Sequence, residues 1–179
     1  GTISIVHNGT IENYAALKQY LRGQGHTFKT DTDTEVIAVL IAELYQEPDH
    51  DPETTTLGGP ASGGLEKAVQ AAMREIRGAY AIAVICEKEP DTLVAARKGS
   101  PLIVGIGADE YIVASDPSAI VAHTSQAFAL EDEHVCKLTR EGFRTSTIDD
   151  ILVSPEIQQL ELDLEQIELG SFDTFMMKE

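Results

Sequence analysis

Tryptophan is absent from this chain of 179 residues, and aromatic residues of all kinds make up 6% of it. Ile, Val, Leu and Ala must therefore fill the core, which a hydrophobic content of 42% allows. Positive charge is scarce too. The 13 Lys and Arg face 30 Asp and Glu, for a formal net charge of -17. That excludes nucleic acid as an expected partner, because phosphates need Lys and Arg to neutralise them. It argues equally against an anionic membrane surface. A strongly acidic surface favours solubility and says little about fold. The chain has two cysteines, Cys86 and Cys136. Each lies inside an apolar, strand-like run, and nothing resembles a disulfide framework or a paired Cys/His zinc motif. Buried free thiols in a reducing cytoplasm are expected. No apolar run approaches the ~20 residues that span a bilayer, and no secretory signal is present.

The length suits one ordinary domain or slightly more. Residues 2–7 read as a buried strand that ends on His7-Asn8-Gly9. Residues 12–24 read as a helix, with Tyr14, Leu17 and Leu21 on one face. Thr30-Asp31-Thr32-Asp33-Thr34-Glu35 carries an N-cap signal, and Thr32 with Glu35 fits the capping box. The apolar helix that follows, to about Tyr45, predicts burial on most faces. Residues 46–64 are rich in Pro, Gly and acids and predict a surface insertion. His50 there reads as a solvated loop residue rather than a metal ligand. Leu65 to Ile76 is a further helix, and Ala79 to Cys86 a strand covered on both faces. Thr92–Ala96, Pro101–Ile106 and Tyr111–Ala114, with tight separators such as Lys98-Gly99-Ser100, predict an antiparallel meander. Ser115-Asp116-Pro117 caps a short helix. Ala127–Leu130 and His134–Leu138 are two more strands. The tail from Ile148 is acidic and weakly periodic. Residues alone thus predict an α+β fold. The abrupt Gly1 start and the uncapped Glu179 end predict a piece of something longer.

Three groups could carry chemistry. Asn8 offers a side-chain amide and Gly9 an unshielded backbone N–H, the donors an oxyanion hole requires. The same dipeptide is equally the strongest short hairpin signal. Asp33 opens a buried helix, where a carboxylate complements the dipole; it could also bind a ligand ammonium. His7 reads as a hydrogen-bond partner rather than a base. His123 and His134 have no evident partner. No residue is a convincing nucleophile. The cysteines sit mid-strand, where thiols are inert. Thr2 cannot use its own amine as base, because Gly1 precedes it.

Taken in order, the motifs form a pattern. His7-Asn8-Gly9-Thr10-Ile11-Glu12-Asn13-Tyr14 resembles the HNG-x-I-x-N-Y segment of the class II glutamine amidotransferases. Thr32-Asp33-Thr34-Glu35-Val36-Ile37 resembles their TDTE segment. Gly78-Ala79-Tyr80-Ala81 is similar to their G-A-[YF] strand, Arg97-Lys98-Gly99-Ser100-Pro101-Leu102 to R-x-GSPL, and Ala114-Ser115-Asp116 to A-S-D. Phe128-Ala129-Leu130-Glu131-Asp132 is close to F-L-E-D-x-D. Phe175-Met176-Met177-Lys178-Glu179 is close to M-Q-K-E, with Met177 in place of Gln. The likeness covers nearly the whole chain, and the TDTE, GSPL and M-x-K-E set narrows it to the hexosamine-forming branch.

The resemblance implies a four-layer αββα sandwich of the N-terminal-nucleophile hydrolase type. It implies that Asn8 and Gly9 hold the oxyanion formed when an N-terminal Cys attacks the amide of L-glutamine, and that Asp33 binds the substrate α-ammonium. No cofactor and no metal is implied. Ammonia would pass to sugar-isomerase domains, which make glucosamine 6-phosphate from fructose 6-phosphate, and the parent enzyme would be a cytoplasmic homo-oligomer. The sequence departs from the pattern in lacking the C-G-I-V-G strand with its nucleophile, the R-W-A-T-H-G segment whose Arg pairs with the substrate carboxylate, and the sugar domains. Residues 1–179 are therefore expected to form a partial glutaminase domain that is inactive alone. Its first strands would be missing, and residues 170–179 would begin a linker. With sheet edges uncovered, self-association is expected. Two other readings stand beside this one: a non-catalytic glutamine-binding module, and the glutaminase domain of another branch, such as the phosphoribosylamine-forming enzyme.

Overall fold

The computed structural model describes residues 3–45 and 63–160. Most of the 46–64 insertion, with His50, lies outside them. So do Thr2, the M-x-K-E segment and the linker expected at 170–179. The chain divides into two compact units.

The first unit is a six-stranded antiparallel sheet under three helices. Its strands are β1 (Ile3–Ile11), β2 (Gly78–Cys86), β3 (Glu89–Lys98), β7 (His134–Thr139), β8 (Gly142–Thr147) and β9 (Leu152–Val153), ordered β1-β2-β3-β7-β8-β9. The helices are α1 (Tyr14–Gly23), α2 (Asp33–Leu44) and α3 (Leu65–Glu75). The core lies between them and one face of the sheet. Leu21 of α1, Val36, Ile37, Leu40 and Ile41 of α2, and Leu65, Val69 and Ala72 of α3 meet Ile82, Val84, Val94, Ala96 and Val135. Aliphatic and small residues carry this core, as the lack of Trp requires.

The second unit holds a four-stranded sheet, ordered β10-β6-β4-β5, with a short helix. Its strands are β4 (Ile103–Ile106), β5 (Tyr111–Ala114), β6 (Gln126–Ala129) and β10 (Gln158–Gln159). Helix α4 spans Ser118–Val121, and the Asp116 side chain accepts the Ser118 N–H at 2.8 Å, as the capping reading predicts.

Two expectations need correction. The strand predicted to stop at His7 runs on to Ile11, and Asn8-Gly9 lies inside its ladder, opposite Ala81 and Tyr80. No hairpin turn forms there. The predicted meander breaks after β3, because β3 pairs with β7 and β4 belongs to the other sheet. Val94, Ala95 and Ala96 are all fully buried, so β3 is an interior strand that needs a partner on each side. Pro101, without an N–H, is poorly suited to continue the ladder straight after the turn. The chain instead passes Gly99, at φ +74 and bridged in parallel to Tyr80, before it enters the second sheet.

Candidate functional site

Strand β1 is an edge strand of the described sheet. The Glu12 N–H donates to the Arg77 carbonyl at 2.9 Å, and the register pairs Ile11 with Gly78. Backbone polar groups in an antiparallel ladder alternate in direction from residue to residue. Thr10 and Asn8 therefore face β2, like Glu12. Ile11, Gly9 and His7 turn their N–H groups away, toward the open edge. Ile11 bears this out, because its N–H donates to Asp33 Oδ2 at 3.0 Å rather than to β2. The Gly9 N–H thus faces the same edge as Asp33. Two residues along a strand span about 7 Å, a length an extended glutamine can bridge between its ammonium and its amide carbonyl.

Only glycine fits at position 9. Its φ is +134, and a Cβ there would lie 2.2 Å from the Ala79 carbonyl oxygen and 2.7 Å from the Tyr80 Cα. Backbone is pressed against backbone, and neither side can yield. Asn8 is exposed on the sheet face opposite His7, and its backbone serves the ladder while its side-chain amide reaches solvent.

Asp33 is set by the start of α2. Thr32 is the N-cap, and its side chain accepts the Glu35 N–H at 3.3 Å. Glu35 does not reach back to Thr32 as a capping box would. Its oxygens accept the Lys29 and Thr30 N–H groups at 2.8 and 2.7 Å and the Thr30 hydroxyl at 2.6 Å. Those bonds hold its carboxyl below the usual range. The loop before the helix is pinned, which fixes where Asp33 begins. The Asp33 side chain is 25% exposed, so one side remains open to solvent.

His7 lies under this carboxylate. Its Nδ1 is 3.0 Å from Thr34 Oγ1 and 3.8 Å from Asp33 Oδ1. Burial pushes the imidazole below its ordinary pKa, and Asp33 opposes that only in part. His7 is therefore neutral near pH 7. This matches its reading as a hydrogen-bond partner rather than a base.

The other flagged groups lie elsewhere. Cys86 and Cys136 are buried and free, and burial together with Glu66 pushes the Cys136 thiol up to about 12. Both lie buried, away from any substrate. His123 comes within 3.9 Å of Glu110, an exposed pair in the second unit. In the Lys98-Gly99-Ser100 turn, Lys98 pairs with Glu133 at 2.6 Å and the Gly99 N–H goes to Asp132 at 2.9 Å. Among the described residues no group of His, Cys, Asp and Glu could hold a metal ion, and no helix is long and apolar enough to cross a membrane. The residues missed in the sequence are Ile11 and Thr34. The first acts through its backbone and leaves no side-chain signal. The second sits inside the TDTE segment that drew attention to Asp33.

A family model described as a glutamine amidotransferase domain matches residues 1–122. The glutamine–fructose-6-phosphate aminotransferase (isomerizing) of Chlorobaculum tepidum is 41% identical over 179 residues, all of this chain and 27% of that protein. The protein of the same name from Methanothermobacter thermautotrophicus is also 41% identical, across 28% of its length. The chain thus spans about a quarter of the length of these curated relatives. Among solved structures, the glutamine phosphoribosylpyrophosphate amidotransferase of B. subtilis, complexed with ADP and GMP, superposes with a TM-score of 0.63. It is 26% identical over 82% of this chain and 29% of its own. These likenesses agree with the expected α+β fold of the N-terminal-nucleophile hydrolase class.

Proposed function

The chain belongs to the glutamine amidotransferase domain family, and from that premise we propose that it is the glutamine-binding part of an enzyme that moves ammonia from L-glutamine to fructose 6-phosphate, giving glucosamine 6-phosphate and glutamate. One observation supports this above the others. The register of β1 turns the Gly9 N–H to the same open edge at which Ile11 anchors Asp33. A donor for a developing oxyanion and an anchor for an ammonium then lie on one edge, two residues apart along the strand. In this reading Asn8 and Gly9 stabilise the oxyanion and Asp33 binds the α-ammonium. The 46–64 segment is a surface insertion of a single glutaminase domain, and 170–179 leads toward the sugar-isomerase domains.

The relatives at 41% identity favour fructose 6-phosphate as the acceptor. The second reading, a phosphoribosylamine-forming enzyme, has the 26% identical structural neighbour in its favour. The chain's own cysteines are buried, so the 179 residues supply binding and charge stabilisation but no thiolate. The purified chain is expected to bind L-glutamine and to release no glutamate above a buffer control. Detectable γ-glutamyl hydrolysis would refute the inactive reading. Absence of L-glutamine binding in a calorimetric or NMR titration would refute the site.

A further inference from the structure

We infer that His7 is a positioning residue for Asp33: through its Nδ1 it holds Thr34 and the Asp33 carboxylate in the orientation that receives a ligand's ammonium group. This rests on the proposed glutamine site and adds a residue to it.

The argument starts from the protons. The His7 side chain is 3% exposed, and its buried Nε2 has no hydrogen-bond partner among the described residues. A buried N–H without an acceptor costs about 1–3 kcal/mol. The neutral ring therefore carries its proton on Nδ1, where Thr34 Oγ1 accepts it at 3.0 Å. The same N–H presents a positive edge to Asp33 Oδ1 at 3.8 Å, too long for a hydrogen bond but close enough for charge to act. The other oxygen, Oδ2, takes the Ile11 N–H at 3.0 Å. The carboxylate is thus steadied at both oxygens by one strand, at positions 7 and 11, with Gly9 between them. Ile11 fixes one oxygen by backbone, which no substitution at 11 other than proline removes. His7 faces the other with the polar edge of its ring at 3.8 Å, itself held by the bond to Thr34, and is the adjustable half of the arrangement. Burial keeps His7 neutral, so it orients Asp33 without neutralising it, and the full negative charge remains for the ligand.

A test separates orientation of Asp33 from general support of the fold. The isotopically labelled chain is titrated with L-glutamine and with glutaramate, which keeps the side-chain amide and the carboxylate but lacks the α-ammonium. The amides of Gly9 and Ile11 are followed by NMR. For His7→Leu, affinity for L-glutamine is expected to fall about fivefold or more while affinity for glutaramate stays within about twofold. His7→Asn, whose amide can occupy the Nδ1 position, is expected to recover most of the loss. His7→Gln, whose amide lies nearer Nε2, is not, and it serves in place of the leucine variant if that one fails to fold. Equal L-glutamine affinity in the wild-type chain and the Leu or Gln variant overturns the inference. So does a parallel loss of both ligands. If the wild-type chain binds neither ligand, the glutamine reading itself fails and the inference falls with it.

Discussion

Two places in the first unit join a helix to a strand through polar groups, and they handle those groups in opposite ways. Where α3 meets β8, the groups bond to one another. Gln70 Nε2 donates to Ser146 Oγ and the Thr147 carbonyl, both at 3.1 Å. Ser146 donates to Glu66 Oε1 at 3.1 Å, Arg144 pairs with the other Glu66 oxygen, and Lys67 meets Asp150 at 2.5 Å. Glu66, Gln70 and Ser146 are buried. A closed network of this kind rigidifies and specifies the packing. Where α2 meets β1, groups are left over. Among the described residues the Gly9 N–H is turned away from the ladder and Asp33 keeps one side open, while Asn8 is exposed on the other face of β1. Polar groups that satisfy one another hold a fold together; polar groups held in place but left unsatisfied can bind something else.

The sharpest way to break this contrast is Glu66→Ala. Arg144 and Ser146 would lose a shared partner that is 5% exposed, and loss of a buried charge partner costs about 3–5 kcal/mol. Arg144 is 44% exposed and can rehydrate, so about 2–4 kcal/mol is expected, read as a lower urea midpoint. L-glutamine affinity of the folded fraction should not change. Gly9→Ala attacks the open side. A Cβ 2.2 Å from the Ala79 oxygen, at φ +134, should cost about 1–3 kcal/mol and remove L-glutamine binding. Gly25→Ala is its control, because φ is +97 there with nothing within 4 Å, and about 1 kcal/mol without loss of binding is expected.

Asp33→Asn should do the reverse of Glu66→Ala. Asn still accepts the Ile11 N–H, so thermal stability should shift by under about 1 kcal/mol. Affinity for L-glutamine should fall about tenfold or more by titration, because the ammonium loses its counter-charge.

The smallest effect is in pH, and it differs between the two places. His7 has a lowered folded pKa, from burial first and against the pull of Asp33. The unfolded chain therefore binds a proton more readily, and stability falls as pH drops below about 6.5. At Asp150 burial acts to raise the pKa, but the Lys67 and Gln70 bonds outweigh it and the folded value is lowered. Its contribution is present above about pH 4 and is lost as pH falls through the folded pKa. His7→Leu should flatten the stability curve between about pH 5 and 6.5 and leave the steeper acid limb. An unchanged slope there would show that His7 titrates as it does in the unfolded chain.

Much of the first unit was legible because its signals are local. The Thr32 cap, the apolar run of α2 and the near-continuous apolar run of β2 are each written within a dozen residues. The break after β3 was not legible. Whether a strand continues into its sequence neighbour or takes a distant partner depends on what covers Val94 to Ala96, and β7, some forty residues on, is that partner. The candidate site was half legible. Asn8, Gly9 and Asp33 stood out by type and spacing. The edge that Gly9 and Asp33 share did not, because the direction of an N–H is a property of ladder register and not of residue identity.

By itself the sequence determined the composition of the core, the start of α2 at Asp33, the acidic surface and the family. Each of these depends on residue type and near neighbours, which the chain carries with it. The tertiary structure alone decided that Asn8-Gly9 would be strand rather than turn, that Ile11 would hold Asp33, and that His7 would lie beneath it. Those outcomes turn on pairing across tens of residues, where one step of register reverses every backbone group along β1.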